Sequence, residues 1–199
     1  MKPSIDLILG TALWAWTIPR SQAFKLLDDF YAAGFRWIDG ATNYPINKNT
    51  EDFRAAEGIL HEWINTHGVR DLKVLMKIGS VNNLYTPENN LSPSFIQIIY
   101  NEYLHLFGEQ LAEIMIHWDN REQAEEIQAT LEALDHLRQD GVRIGLSGIK
   151  HPAVYQQLNN SFNFDWDIQM KHNLVYSDYS RYAAFHGSPR FMAYGINAG

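Results

Sequence analysis

Cysteine is absent from this chain, which excludes disulfide cross-links and thiolate metal centres and leaves a reducing compartment open to it. Basic runs are absent too. With 16 Lys and Arg against 23 Asp and Glu, a formal charge of -7, the sequence lacks the cationic face that nucleic acid or an anionic membrane surface requires. Neither partner is expected. No stretch approaches the ~18 apolar residues of a membrane span, and Met1-Lys2-Pro3-Ser4-Ile5-Asp6 carries no long apolar run of the secretory kind. The expectation is a cytoplasmic protein with no membrane association. No histidine pair at i, i+4 with an acidic partner appears, so no metal centre is expected.

What is present suffices for a core: 199 residues, 46% apolar and 20% charged, read as a single domain over residues 1–199. Short apolar runs alternate with segments of helical period. Leu7-Ile8-Leu9-Gly10 is a strand; Ser21 caps a helix with Ala23, Leu26, Leu27 and Phe30 on one face, stopped by Gly34. Phe35 to Ile38 is the next strand. Thr50 is the expected cap of a helix through Phe53, Ala56, Leu60 and Trp63, and Lys73-Val74-Leu75-Met76-Lys77 follows as a strand. Ser92-Pro93 opens the third helix, and Glu113-Ile114-Met115-Ile116-His117 is the fourth strand. Asn120 and Gln123 suggest a capping box for a helix through Ile127, Leu131, Leu134 and Leu137. Arg143-Ile144-Gly145-Leu146-Ser147, a short helix from Pro152 to Leu158, Asp167-Ile168-Gln169-Met170, a helix from Tyr179 to Phe185, and Phe191-Met192-Ala193-Tyr194 complete the alternation.

Such alternation means βαβ units and a parallel sheet, either open and doubly wound or closed as a (β/α)8 barrel. An open sheet usually carries a glycine-rich phosphate turn after an early strand, and Gly10-Thr11-Ala12 has a single glycine. The barrel is favoured by where polar residues fall. Asp39, Lys77, His117, Ser147, Gln169 and Tyr194 each lie in or at the end of a different strand, and in a barrel those ends converge. Taken singly, each could be an ordinary polar strand end.

The densest stretch is Arg36-Trp37-Ile38-Asp39-Gly40-Ala41-Thr42-Asn43-Tyr44, where a strand delivers a carboxylate and a loop opened by Gly40 delivers a phenol. A phenol with an ordinary pKa near ~10 keeps its proton at neutral pH but gives it up slowly. A lysine ammonium beside it stabilises the phenolate, and a carboxylate keeps that ammonium charged in an apolar setting. Asp39, Lys77 and Tyr44 can therefore act as one unit. The plain alternatives are a strand-ending aspartate, a solvent-reaching lysine and a core histidine.

Asp39-Gly40-Ala41-Thr42-Asn43-Tyr44, Lys77 closing its strand, Ile116-His117-Trp118, Gly141-Val142-Arg143-Ile144-Gly145-Leu146-Ser147 and Ala193-Tyr194 resemble, in order, the signatures of the aldo-keto reductase family. The resemblance runs from about Leu9 to Gly199 and implies a TIM (β/α)8-type barrel. It implies reduction of an aldehyde or ketone by hydride from NADPH, with NADH as the alternative. It makes Tyr44 the general acid, Lys77 the group that lowers its pKa, Asp39 the anion holding Lys77, and His117 a donor that orients the carbonyl. Ser147 and Gln169 would bind the nicotinamide carboxamide, Tyr194 would stack on its ring, and Trp14, Trp16 and Trp118 would line a mouth for an apolar or aromatic substrate. For Trp16 a packing role is equally open.

Several positions depart from the pattern. Gly148 stands where asparagine is common, Gly195 where serine is usual, Arg54 where a glutamate often stands, and Ala12 replaces a glycine. The family's members are also roughly half as long again. About seven strands are expected here, without the eighth strand and the basic phosphate-binding segment, so the chain is either a fragment or an incomplete barrel. An oligomer covering the open barrel edge is one expectation. Two functions stay open: an NAD(P)H-dependent reductase, or a reductase-like regulatory or binding subunit without useful turnover. Gly145-Leu146-Ser147-Gly148 lacks the glycine spacing of a nucleophile elbow, and a Schiff base at Lys77 accounts less well for Asp39 and Tyr44.

Overall fold

The computed structural model describes residues 7–187 and 190–197. Met1 to Asp6, expected to carry no secretory run, and Ala198-Gly199, where the family resemblance ends, lie outside them. Seven parallel strands pair in chain order: β1 (Ile8–Gly10), β2 (Trp37–Ala41), β3 (Lys73–Ile78), β4 (Leu111–His117), β5 (Arg143–Ser147), β6 (Asp167–Lys171) and β7 (Arg190–Tyr194). Five α-helices make the crossovers: α1 (Arg20–Ala32), α2 (Ala55–His67), α3 (Pro93–Phe107), α4 (Ala124–Gln139) and α5 (Pro152–Leu158). A 3-10 segment, Tyr179–Phe185, replaces the helix expected between β6 and β7.

The sheet is rolled. In a flat sheet β2 and β6 would lie about 19 Å apart, four strand spacings. Instead the Gln169 amide nitrogen donates to Asp39 Oδ2 at 2.9 Å across the interior. This is the expected barrel type, incomplete, with no strand joining β7 to β1 among the described residues.

Side chains of a strand alternate between faces, and here the two faces differ in chemistry. The outer row, including Ile38, Val74, Met76, Ile114, Ile116, Ile144, Leu146 and Ile168, is buried with Leu27, Leu60, Ile96 and Leu131 of the helices. The inner row forms three layers. At the bottom, Arg143 Nε donates to Asp167 at 2.7 Å, and Arg190 reaches Asp167 at 2.9 Å and Glu113 at 3.2 Å. Burial, then the Asp167 charge, pushes the Glu113 carboxyl up to about 8. Above it Leu75, Met115 and Met192 make an apolar plug. Gly145 leaves room for that plug, because a Cβ there would come 2.5 Å from the Met115 Cε and 2.8 Å from a backbone oxygen of Asp167. The top layer holds Asp39, Lys77, His117, Ser147 and Gln169.

Several expected boundaries move. β2 runs through Asp39 and Gly40 to Ala41, each paired with β3, so Asp39 sits inside the strand and Gly40 opens no loop. α1 starts at Arg20 because the Pro19 carbonyl, rather than Ser21, accepts its first amides, from Gln22 and Ala23 at 3.0 Å. Thr50–Asp52 is a separate 3-10 turn, and α2 begins only at Ala55, after Arg54 adopts φ 68°. α4 begins at Ala124, not at Asn120, since the Asp119 side chain holds the Arg121 amide at 3.0 Å in a turn of its own.

Candidate active site

Lys77 on β3 has no accessible surface, and a buried ammonium requires an anion. Asp39 on the neighbouring strand supplies one through Oδ1. The second Asp39 oxygen accepts from Gln169, and Ser147 Oγ donates to Gln169 Oε1 at 2.9 Å. Tyr44 leaves the end of β2 on a short turn fixed by its amide to the Ala41 carbonyl at 3.1 Å and by the Ala56 amide to its own carbonyl at 3.3 Å. That turn lays the phenol ring 4.8 Å from Lys77 Nζ. Asp39, Lys77, Tyr44 and His117 therefore lie together at the C-terminal end of the strands.

The electrostatics follow from burial and the lysine. Burial pushes the Tyr44 phenol up, while the Lys77 charge and hydrogen bond pull it down; the balance stays above the ordinary value, so the phenol holds its proton. Lys77 lowers the phenol, as the resemblance implied, and desolvation outweighs it in the balance. His117, 3% exposed, is pushed well below its ordinary value by burial and then by Lys77. It is a neutral imidazole, perpendicular to Tyr44 at 6.0 Å between ring centroids, with Nδ1 buried and without a hydrogen-bond partner. A protonated phenol beside a fixed cation, with a neutral imidazole at its edge, is an arrangement for giving a proton to an oxygen that becomes negative.

Beside His117, whose ring centroid lies 4.7 Å from that of Trp118, the mouth is a cleft of about 370 Å³ bounded by Tyr85, Trp118, Asn120, Gly148, Arg181 and Tyr194. Tyr194 is 41% exposed at the end of β7. Trp118 adopts φ 57°, and its amide donates to the Ser147 carbonyl at 2.9 Å. Its indole lies where a side chain at 148 would go: a Cβ on Gly148, itself at φ 68°, would fall 2.5 Å from Trp118 Cδ1. A larger cleft of about 710 Å³ opens at the opposite end of the strands beside Trp37, Lys73 and Arg143; Asp39, Lys77, Tyr44 and His117 line neither cleft. Chemistry, rather than volume, marks the site.

Not every expected residue joins it. Trp14 is buried in the core with no accessible surface, which corrects its expected place at the mouth. Trp16 is 53% exposed. The sequence reading missed Tyr85, Asn120, Arg181 and Asp178, the last two ion-paired at 2.7 Å. It also missed Thr42, whose Oγ1 bonds the Lys77 carbonyl at 2.9 Å and whose neighbour Asn43 is buried with both amide atoms unpartnered. Adjacency to Tyr44 was the available signal for those two.

Residues 6–195 match the Aldo/keto reductase family. The chain belongs to that family. Aldo/keto reductases are NAD(P)H-dependent oxidoreductases with TIM-type barrels, and the matched span takes in every strand of the sheet. Over 80 residues, 37% of this chain and 74% of the relative, the sequence is 35% identical to an uncharacterized 11.2 kDa protein in the crtE 3'region of Pseudescherichia vulneris. Among the described residues no helix is long and apolar enough to cross a membrane, and no three His, Asp or Glu side chains group as metal ligands would.

Proposed function

We propose that this aldo/keto reductase converts an aldehyde or ketone to an alcohol, with Tyr44 giving the proton to the carbonyl oxygen. The observation that carries this reading is the buried Lys77, shared between the Asp39 carboxylate and the Tyr44 phenol. As the carbonyl oxygen gains charge, Lys77 stabilises the phenolate left behind, and Asp39 keeps Lys77 protonated throughout. The neutral His117 donates a ring N–H that orients the carbonyl, a task an imidazolium beside Lys77 would perform poorly because of repulsion.

The residues present fit a nicotinamide. Ser147 and Gln169, 2% and 6% exposed, are adjacent strand-end groups able to take a carboxamide's hydrogen bonds, and the half-exposed Tyr194 ring offers a stacking face. Held by Ser147, Gln169 and Tyr194, a reduced nicotinamide nucleotide, NADPH by family habit or else NADH, would be the source of hydride for the carbonyl carbon. Trp118, Tyr85 and Tyr194 border the mouth with ring edges and faces, which suits an apolar or aromatic carbonyl compound.

One observation favours a second reading. The Trp118 indole occupies the space over Gly148 where the family commonly has an amide side chain, so the nicotinamide has one partner fewer, as in a regulatory subunit without useful turnover. Titration with NADPH followed by tryptophan emission, then oxidation with an aromatic aldehyde, separates the two. Turnover that Tyr44→Phe lowers by ~10²-fold or more at unchanged NADPH affinity supports the reductase. Equal rates in that variant refute the proton assignment, and binding without turnover supports the subunit.

A further inference from the structure

The two oxygens of Asp39 have different partners. Oδ1 takes the Lys77 ammonium, and Oδ2 accepts from Gln169 Nε2 at 2.9 Å. Gln169 Oε1 in turn accepts from Ser147 Oγ at 2.9 Å. Ser147, Gln169, Asp39, Lys77 and Tyr44 are thus linked in series through the top layer, across 130 positions of sequence between Asp39 and Gln169. The Gln169 amide is committed at both ends to groups of the protein. It is also the amide that a nicotinamide carboxamide would need.

We propose that Gln169 is a positioning residue that couples nicotinamide binding to the proton donor: a carboxamide that engages Gln169 draws its amide from Asp39 and thereby changes the acidity of Tyr44. The coupling rests on the reductase reading; the role of Gln169 as second partner of Asp39 stands on the geometry alone. A charge-assisted bond from an amide spreads the carboxylate's charge. The charged and titratable groups bearing on Tyr44 are Lys77, Asp39, His117 and Tyr194. Of these, Asp39 opposes phenolate formation and Lys77 favours it. Withdrawing the Gln169 donor leaves Asp39 more strongly negative toward the phenol. Tyr44 then keeps its proton more firmly until a developing oxyanion takes it.

The test reads Tyr44 directly, without turnover. Protein labelled with 3,5-difluorotyrosine, whose phenols ionise at lower pH than tyrosine's, is titrated by 19F NMR, and Tyr44→Phe identifies the resonance. In cofactor-free protein the Tyr44 midpoint moves to higher pH in Gln169→Leu, and further in Gln169→Glu, which adds a carboxylate while keeping the shape. Unchanged midpoints in folded variants overturn the role of Gln169; should Gln169→Leu fail to fold, Gln169→Met, which keeps the length of the side chain and removes the amide donor without adding charge, decides. NADPH added to the wild type moves the midpoint upward, and moves it less in Gln169→Leu. NADPH that binds, by tryptophan emission, yet leaves the midpoint in place overturns the coupling alone. NADPH that fails to bind overturns the coupling together with the reductase reading, and the variant midpoints still report on Gln169.

Discussion

Lys77→Met removes a cation that has no accessible surface and keeps a stem of similar length and apolar character. What remains is Asp39, its side chain 13% exposed, with the Gln169 amide at 2.9 Å as its surviving partner. Removing one member of a buried ion pair costs about 3–5 kcal/mol, because the other charge stays desolvated. The retained charge-assisted bond to Gln169 places the loss at the lower end, about 3 kcal/mol. In a domain of this size each kcal/mol is worth about 2–4 °C, so the melting temperature should fall by roughly 6–12 °C. The double variant Lys77→Met, Asp39→Leu should recover most of it, since an apolar pair of similar volume needs no counter-charge. The pH dependence has a definite sign. Burial lowers the folded Lys77 pKa, but Asp39 and Tyr44 outweigh it, and the net value is raised above the ordinary 10.5. The stabilisation is therefore full below about pH 10.5 and is lost as pH rises through the folded value. Urea unfolding of wild type and both variants, at neutral pH and in alkali, measures this. A neutral-pH loss below ~1 kcal/mol for the single variant, or a double variant no better than the single one, refutes the argument.

Two further outcomes follow from the barrel interior and the mouth. The Glu113 carboxyl, about 8 in the folded state against an ordinary 4.5, holds a proton that the unfolded chain has already lost, so its contribution to stability declines as pH rises between those values. Glu113→Gln should flatten that part of the profile of urea midpoint against pH, and an unaltered slope would count against the buried acid. Gly148→Ala places a Cβ 2.5 Å from Trp118 Cδ1 at a left-handed φ of 68°, so a stability loss of about 1–2 kcal/mol from backbone strain is expected, with a shift in tryptophan emission as the indole moves. Emission and stability both equal to wild type would show that the indole does not rest there.

The order of elements, the barrel type and the residues gathered at its C-terminal end were legible in the sequence for a local reason. Strand patterning and helix periodicity are properties of consecutive residues, and a parallel barrel brings its strand ends together whatever the loops do. Asp39, Lys77 and His117 project inward because they lie on the inner row of β2, β3 and β4, a consequence of the two-residue period. The bottom cluster was equally present as Glu113, Arg143, Asp167 and Arg190 at the starts of successive strands, but opposite charges at those spacings mean little until the sheet rolls.

What the tertiary structure alone decided depended on competition between distant groups. Trp14 went to the core and Trp118 to the mouth although both are tryptophans on strand-following loops, because the turn geometry and the bare Gly148 backbone settle where each indole fits. The helix start at Arg20 was set by the Pro19 carbonyl, that at Ala55 by the left-handed Arg54, and that at Ala124 by the Asp119 carboxylate holding the Arg121 amide in a turn ahead of the helix. The Tyr44 phenol sits above its ordinary pKa because desolvation outweighs the lysine beside it. The Gln169 to Asp39 bond exists only because the sheet curves. Periodicity along the chain fixes which face a side chain takes, whereas curvature and burial fix what that face meets.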